Sequence, residues 1–202
     1  MVLHLVQPAR HFERPPVDAA PWSLERLRGK VVELSGQGAF APVSSGLWIL
    51  RQLQEAGEAV AWVGRPALRP FVPDLLPWDL DLDAMAFLFP SRQEQVGRAA
   101  DVLLESGALG GLVLDLGQHI LPLPLLTRLA ARCAHHDSCL ILLSEKSDDS
   151  PSMGVGISWR STVQRQRIGP NTFVVRWLGL KDRHGPAQWC WHQSFRGVPG
   201  CP

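Results

Sequence analysis

Five short, mostly apolar runs constrain this chain more than any other feature. Lys30–Leu34, Ala59–Val63, Met85–Phe89, Gly111–Leu116 and Cys139–Leu143 read as strands. Gly111–Leu116, apolar on both faces, and Cys139–Leu143 are the expected central strands of a sheet sandwiched by helices. The stretches between them carry helical periodicity. Ser44 or Ser45 is expected to cap a helix running to about Ala56, with Ile49, Leu50 and Leu53 on one face and Gly57 as its stop. Ser91 is expected to cap another reaching Glu105, and a third runs from Pro122 to about His135. Strands alternating with such helices predict βαβ units around a parallel sheet.

The texture changes after residue 150. Val155–Trp159, Val163–Ile168, Thr172–Leu178 and Ala187–His192 read as successive strands, with Gly169-Pro170-Asn171 and the run from Asp182 to Pro186 as turns. The predicted fold class is therefore α/β: a mainly parallel sheet flanked by helices, with an antiparallel extension over residues 150–192 and a tail over 193–202. Four prolines (Pro8, Pro15, Pro16 and Pro21) mark residues 1–21 as an extended arm, leaving 22–202 as a single domain. Trp22–Arg28 reads as a short helix capped by Ser23. Residues 64–83, again with four prolines, read as a connection holding a turn of helix.

Formal net charge is +1, so the chain as a whole is no polyelectrolyte. The distribution is uneven, because residues 151–202 hold Arg160, Arg165, Arg167, Arg176, Lys181, Arg183 and Arg196 against Asp182 alone. The same quarter contains Trp159, Trp177, Trp189 and Trp191. Cations interleaved with aromatics grip nucleic acid or an acidic protein surface; a sheet with Trp inside and Arg outside gives the same alternation. Arg160, Arg165, Arg167 and Arg176 are thus the candidate face for an acidic partner or for weak, salt-sensitive, nonspecific DNA binding. No apolar run reaches the roughly 18 residues of a membrane helix, and a cytoplasmic protein, associated with the nucleoid if it binds DNA, is expected. Cys133, Cys139, Cys190 and Cys201 are then free thiols. The Cys133–Cys139 segment, with His135, His136 and Asp137, holds metal-ligand types, but its spacing fits no closed zinc pattern and no metal is expected.

The junction of the first strand and the next helix is where a phosphate-binding loop sits in G-x-x-x-x-G-K-[ST] sites. There, backbone N–H groups cradle phosphate, a lysine neutralises it and a hydroxyl holds magnesium. This chain reads Gly36-Gln37-Gly38-Ala39-Phe40-Ala41-Pro42-Val43. Gly36 is in place, but Ala41, Pro42 and Val43 stand where glycine, lysine and hydroxyl are needed. Pro42 also removes an N–H donor.

Val31-Val32-Glu33-Leu34-Ser35-Gly36, the helix ending Glu55-Ala56-Gly57-Glu58 and the strand Val60-Ala61-Trp62-Val63 resemble the first βαβ unit of the RecA recombinases. The run Ser106 to Asp115 resembles their Walker B strand, with Asp115 in the place of the magnesium-associated aspartate. Ile157–Gly169 and Val174–Trp191 resemble their later sheet. Where that family carries a catalytic glutamate, this chain reads Val63-Gly64-Arg65-Pro66. The two DNA loops correspond to a short Gly117–Leu121 and an acidic Glu145–Gly154. A degenerate RecA core of this kind is similar to the ImuA family, the SOS-induced accessory proteins of translesion synthesis.

The resemblance implies a non-catalytic protein without cofactor that binds and modulates RecA. It also implies association with the polymerase-like ImuB and with a second replicative-type DNA polymerase. Lys181 and Arg183, on the turn that in RecA lies by the subunit interface, are the implied partner contacts, together with Leu3, Leu5 and Phe12 of the arm. A SulA-like inhibitor of FtsZ and a weak ATPase or DNA-binding RecA paralogue are the alternatives.

Overall fold

The computed structural model describes residues 23–37, 41–65, 69, 72–185 and 189–196, excepting the side chain of Pro73. Eight strands form one sheet: β1 (Val31–Gly36), β2 (Val60–Val63), β3 (Met85–Leu88), β4 (Gly111–Gly117), β5 (Cys139–Glu145), β6 (Ile157–Gly169), β7 (Thr172–Asp182) and β8 (Cys190–Arg196). Their spatial order is β3-β2-β4-β5-β1-β6-β7-β8. The first six are mutually parallel; β7 and β8 add antiparallel. The architecture is the expected one, with a difference in β6. This strand joins parallel to β1 before the antiparallel pairing starts, and it is continuous where two separate strands were expected.

β1, β2 and β4 are buried at every position, and β5 at all but Glu145. They are covered on both faces, which is why their sequences are unbroken apolar runs. One face carries α2 (Ala41–Glu55), over a core of Leu34, Leu50, Trp62, Ile141 and Trp177. The other carries α4 (Val96–Glu105) and α5 (Leu123–His136), over Leu112, Leu114, Leu140 and Leu142. A four-residue α1 (Leu24–Leu27) is capped by Ser23, whose hydroxyl accepts from the Arg26 N–H. α3 (Val72–Leu75) supplies the expected turn of helix in the proline-rich connection, and a single 3-10 turn (Leu76–Trp78) follows it.

Both long central helices stop as their sequences require. Gly57, at φ +82, ends α2, with the Glu58 N–H bonded back to the Leu53 carbonyl. Asp137, at φ 55, ends α5, with the Ser138 N–H bonded to the Cys133 carbonyl. The start of α2 corrects the sequence reading. The helix begins at Ala41, so Pro42 occupies its first turn, where a missing N–H costs nothing. Ser44 and Ser45 are interior helix residues, not caps. The Ser45 hydroxyl donates to the Ala41 carbonyl (3.1 Å) and accepts from the Trp177 indole (2.7 Å), tying α2 to β7. Ser91 likewise caps nothing; a 3-10 turn, Gln93–Gln95, leads into α4. β8 runs to Arg196, so residues 193–196 belong to the sheet rather than to a tail. The arm, including Leu3, Leu5 and Phe12, and Cys201 lie outside the described residues.

Candidate functional site

In a parallel sheet the ligand site forms at the carboxyl ends of the strands, where loops diverge. Gly36 ends β1 there, and Pro42 and Val43 open α2 beside it. Asp115 stands near the end of β4, 5% exposed. These four residues line one cleft, of about 10 Å³. That is roughly room for a single water, against the 300 Å³ or more of ordinary ligand pockets. Gly36 is required by close approach: a Cβ on it would sit 3.0 Å from the Val163 carbonyl and 3.2 Å from the Pro42 ring.

The charge in this cleft comes from a residue the sequence reading passed over. Arg65, just beyond β2, reaches across the strand ends. Its Nε lies 3.0 Å from Asp115 Oδ1, and its Nη1 donates to Glu145 Oε1 at 2.8 Å. The first contact is coulombic rather than a directed hydrogen bond. Gly117, at φ +56, makes space for the guanidinium, which a Cβ there would meet at 2.8 Å. Burial pushes the Asp115 carboxyl above its ordinary value, and Arg65 opposes that by favouring the ionised form. An internal guanidinium thus bridges the ends of β2, β4 and β5. Nothing in the local sequence announces it, because Arg65, Asp115 and Glu145 meet only once β4 lies between β2 and β5.

A larger open cleft, about 870 Å³, lies alongside. It is bordered by Gln37, Ala41, Asp148, Asp149, Arg165 and Phe173. The Arg165 guanidinium stacks on the Phe173 ring at 3.9 Å. The acidic pair and the arginine give this cleft walls of opposite sign.

The four arginines assigned to one face do not share one. Arg160 is 2% exposed. It donates to Ser35 Oγ (3.1 Å), the Ser147 carbonyl (2.7 Å) and the Ser150 carbonyl. A residue consumed this way presents no charge to a polyanion. Arg165 pairs across the ladder with Val175 and Arg167 with Phe173, on the α2 face; alternation puts Arg176 on the other side. Arg167 donates to the Gly169 and Pro170 carbonyls in the turn.

The segment after β5 is held down on the face that bears α5. Glu33, fully buried, accepts from Ser144 Oγ (2.9 Å) and the Met153 N–H (3.0 Å) and pairs with Lys146 at 2.5 Å. Lys181 donates to Ser152 Oγ at 3.0 Å, and Arg183 to the Val155 carbonyl. Lys181 lies within β7, not on a turn, and its ammonium is lowered by burial and by neighbouring Arg183. Both residues read as partner contacts are therefore engaged within their own chain. Cys133 and Cys139 are fully buried, the Cys133 thiol pushed up to about 12 by burial. Among the described residues no three His, Cys, Asp or Glu side chains converge as metal ligands, and no helix is long and apolar enough to cross a membrane.

No family model matches the chain. It is 31% identical over 96 residues to Protein RecA of Rubrobacter xylanophilus, covering 47% of this chain and 27% of that one. It is 30% identical over 120 residues to Protein RecA of Kineococcus radiotolerans, covering 54% and 34%. The chain thus spans about a third or less of the length of the curated relatives it matches. The chain is similar in part to RecA proteins, and its mostly parallel eight-stranded sheet is consistent with a RecA-like core.

Proposed function

We propose that this chain is a nucleotide-independent accessory protein of the DNA-damage response, of the ImuA kind. In this reading it binds RecA and restrains its filaments, and it associates with ImuB and a second replicative-type polymerase during SOS-induced translesion synthesis. The observation that carries the reading is the Arg65 bridge between Asp115 and Glu145. A RecA-type site that supplies its own cation has no need of magnesium to balance its carboxylates, and an opening of only about 10 Å³ leaves no room for a triphosphate. The mechanism is mimicry: a RecA-like surface is offered without the nucleotide that would let a subunit exchange turn over.

Three measurements test it. Millimolar ATP with magnesium is expected to give no calorimetric heat and no shift in melting temperature, since a ligand that binds the folded state raises it. Purified RecA and ImuB are each expected to be retained on the immobilised chain, and RecA strand exchange to slow when the chain is added. Nucleotide binding, or failure to retain either partner, overturns the proposal.

A further inference from the structure

On the α2 side, the near half of the extension β6–β8 is covered, with Val163, Val175 and Trp177 in the core and Arg165 and Arg167 exposed beyond it. On the opposite side α4 and α5 pack over β1, β2, β4 and β5, and the segment after β5 reaches the near ends of β6 and β7 through Arg160 and Lys181. Beyond those ends the three strands present their second face to solvent. Arg176 sits at its centre, paired with Gln164 on one side and His192 on the other, all three exposed. Arg196, exposed, pairs with Thr172 at the far end. Val174 and Leu178, half-buried, flank Arg176 along the same strand face.

Two properties of this face identify its partner. The three strands themselves bring one carboxylate, Asp182, which pairs with Arg26 at 2.5 Å, while Asp148 and Asp149 border the cleft at the Gln164 edge. Arg176 and Arg196 make no ion pair with any described residue, so their charge is unspent. The face is also part apolar, and it carries no Trp or Phe on which a base could stack. Phosphates would use the arginines and leave Val174 and Leu178 uncovered. Its size is that of a helix: three strands span about 10 Å, the diameter of a helix. Thr172 to Leu178 extends about 20 Å, the length of roughly 13 helical residues.

We infer that the open face of β6–β8 is a docking surface for an amphipathic helix with acidic flanks, contributed by a partner protein. Its apolar stripe lies on Val174 and Leu178, its carboxylates on Arg176 and Arg196, and it completes the layer that α4 and α5 leave unfinished. The inference stands apart from the identity of the partner proposed above.

The test is selection of a displayed library of 14-residue segments on the full chain, followed by fluorescence polarisation with the selected peptides. Binders are expected to carry Glu or Asp beside an aliphatic stripe at helical spacing. The double variant Arg176→Glu/Arg196→Glu is expected to weaken them about tenfold or more, while Arg98→Glu, an exposed charge on α4, leaves affinity unchanged. All variants should keep the wild-type circular dichroism and melting temperature, since these side chains are exposed and make no ion pair with a described residue. Selection without acidic helical segments, or affinity indifferent to the double variant, overturns the inference. So does tighter binding of a thymidine 20-mer that the double variant abolishes, which would assign the face to nucleic acid. Loss of helix binding with RecA retention intact would sink this inference alone.

Discussion

Arg65 changes the meaning of the residues around it. Asp115 without a partner would be a buried carboxylate with its charge unmet; with Arg65 and Glu145 it belongs to a three-membered bridge. Breaking such a bridge from the cation's side leaves two carboxylates facing each other, so Arg65→Gln is expected to cost about 2–3 kcal/mol in urea unfolding. The pH dependence has a definite sign. Asp115 titrates above its ordinary value in the folded chain. Through the window from that ordinary value upward, the folded state therefore holds more protons than the unfolded state, and stability falls as pH rises. Urea midpoints from about pH 4 to about pH 7 should show Asp115→Asn flattening that decline. Arg65→Gln should steepen it, because the guanidinium is what holds the pKa down. A decline identical in wild type and Asp115→Asn would show that Asp115 does not contribute.

At the scale of elements, the segment from Lys146 to Val155 shows how cations that look free in a sequence are spent in a fold. Arg160, Lys181 and Arg183 are three of the seven basic residues that make the last quarter appear as a basic patch, and all three donate to this segment. Arg160→Met is expected to cost about 2–3 kcal/mol, because it strands buried acceptors, and to hasten proteolysis within residues 147–150. Arg176→Met, at an exposed position, should change stability by less than about 0.5 kcal/mol. Equal costs for the two would contradict the burial of Arg160. The one-strand nature of β6 belongs to the same scale. Its middle, Arg160-Ser161-Thr162, reads as a polar break. Those side chains are buried nonetheless, Arg160 meeting Ser35 and Thr162 standing opposite Leu178 in the ladder. The Arg160 guanidinium finds its acceptors in Ser35 on β1 and in the Ser147 and Ser150 carbonyls, and the strand runs on through this polar stretch even though the buried Ser161 hydroxyl has no hydrogen-bond partner among the described residues.

For the whole molecule, the antiparallel extension is joined to the parallel sheet by aromatic contacts as well as by strand pairing. Trp177 is fully buried among Trp48 at 5.7 Å, Trp191 at 4.9 Å and Trp159 at 6.1 Å between ring centroids. Trp78 reaches Phe195 at 4.9 Å. The cluster runs from α2 through β7 to the edge strand, so the extension should unfold together with the core. Trp177→Ala is expected to cost about 3–5 kcal/mol and to remove most of the near-ultraviolet dichroism of the coupled indoles. Separate unfolding transitions in the wild type would refute that coupling.

The α/β class, the first five parallel strands and the helices between them were legible along the chain, because apolar periodicity is a local property. The direction in which each charged side chain is used was not. Arg65 meets Asp115 across fifty residues, and Arg160 turns inward while Arg176 turns outward. Those outcomes depend on which strands lie side by side and which face a pleat presents. Burial and pairing are relations between distant segments, and only the assembled sheet brings the segments together.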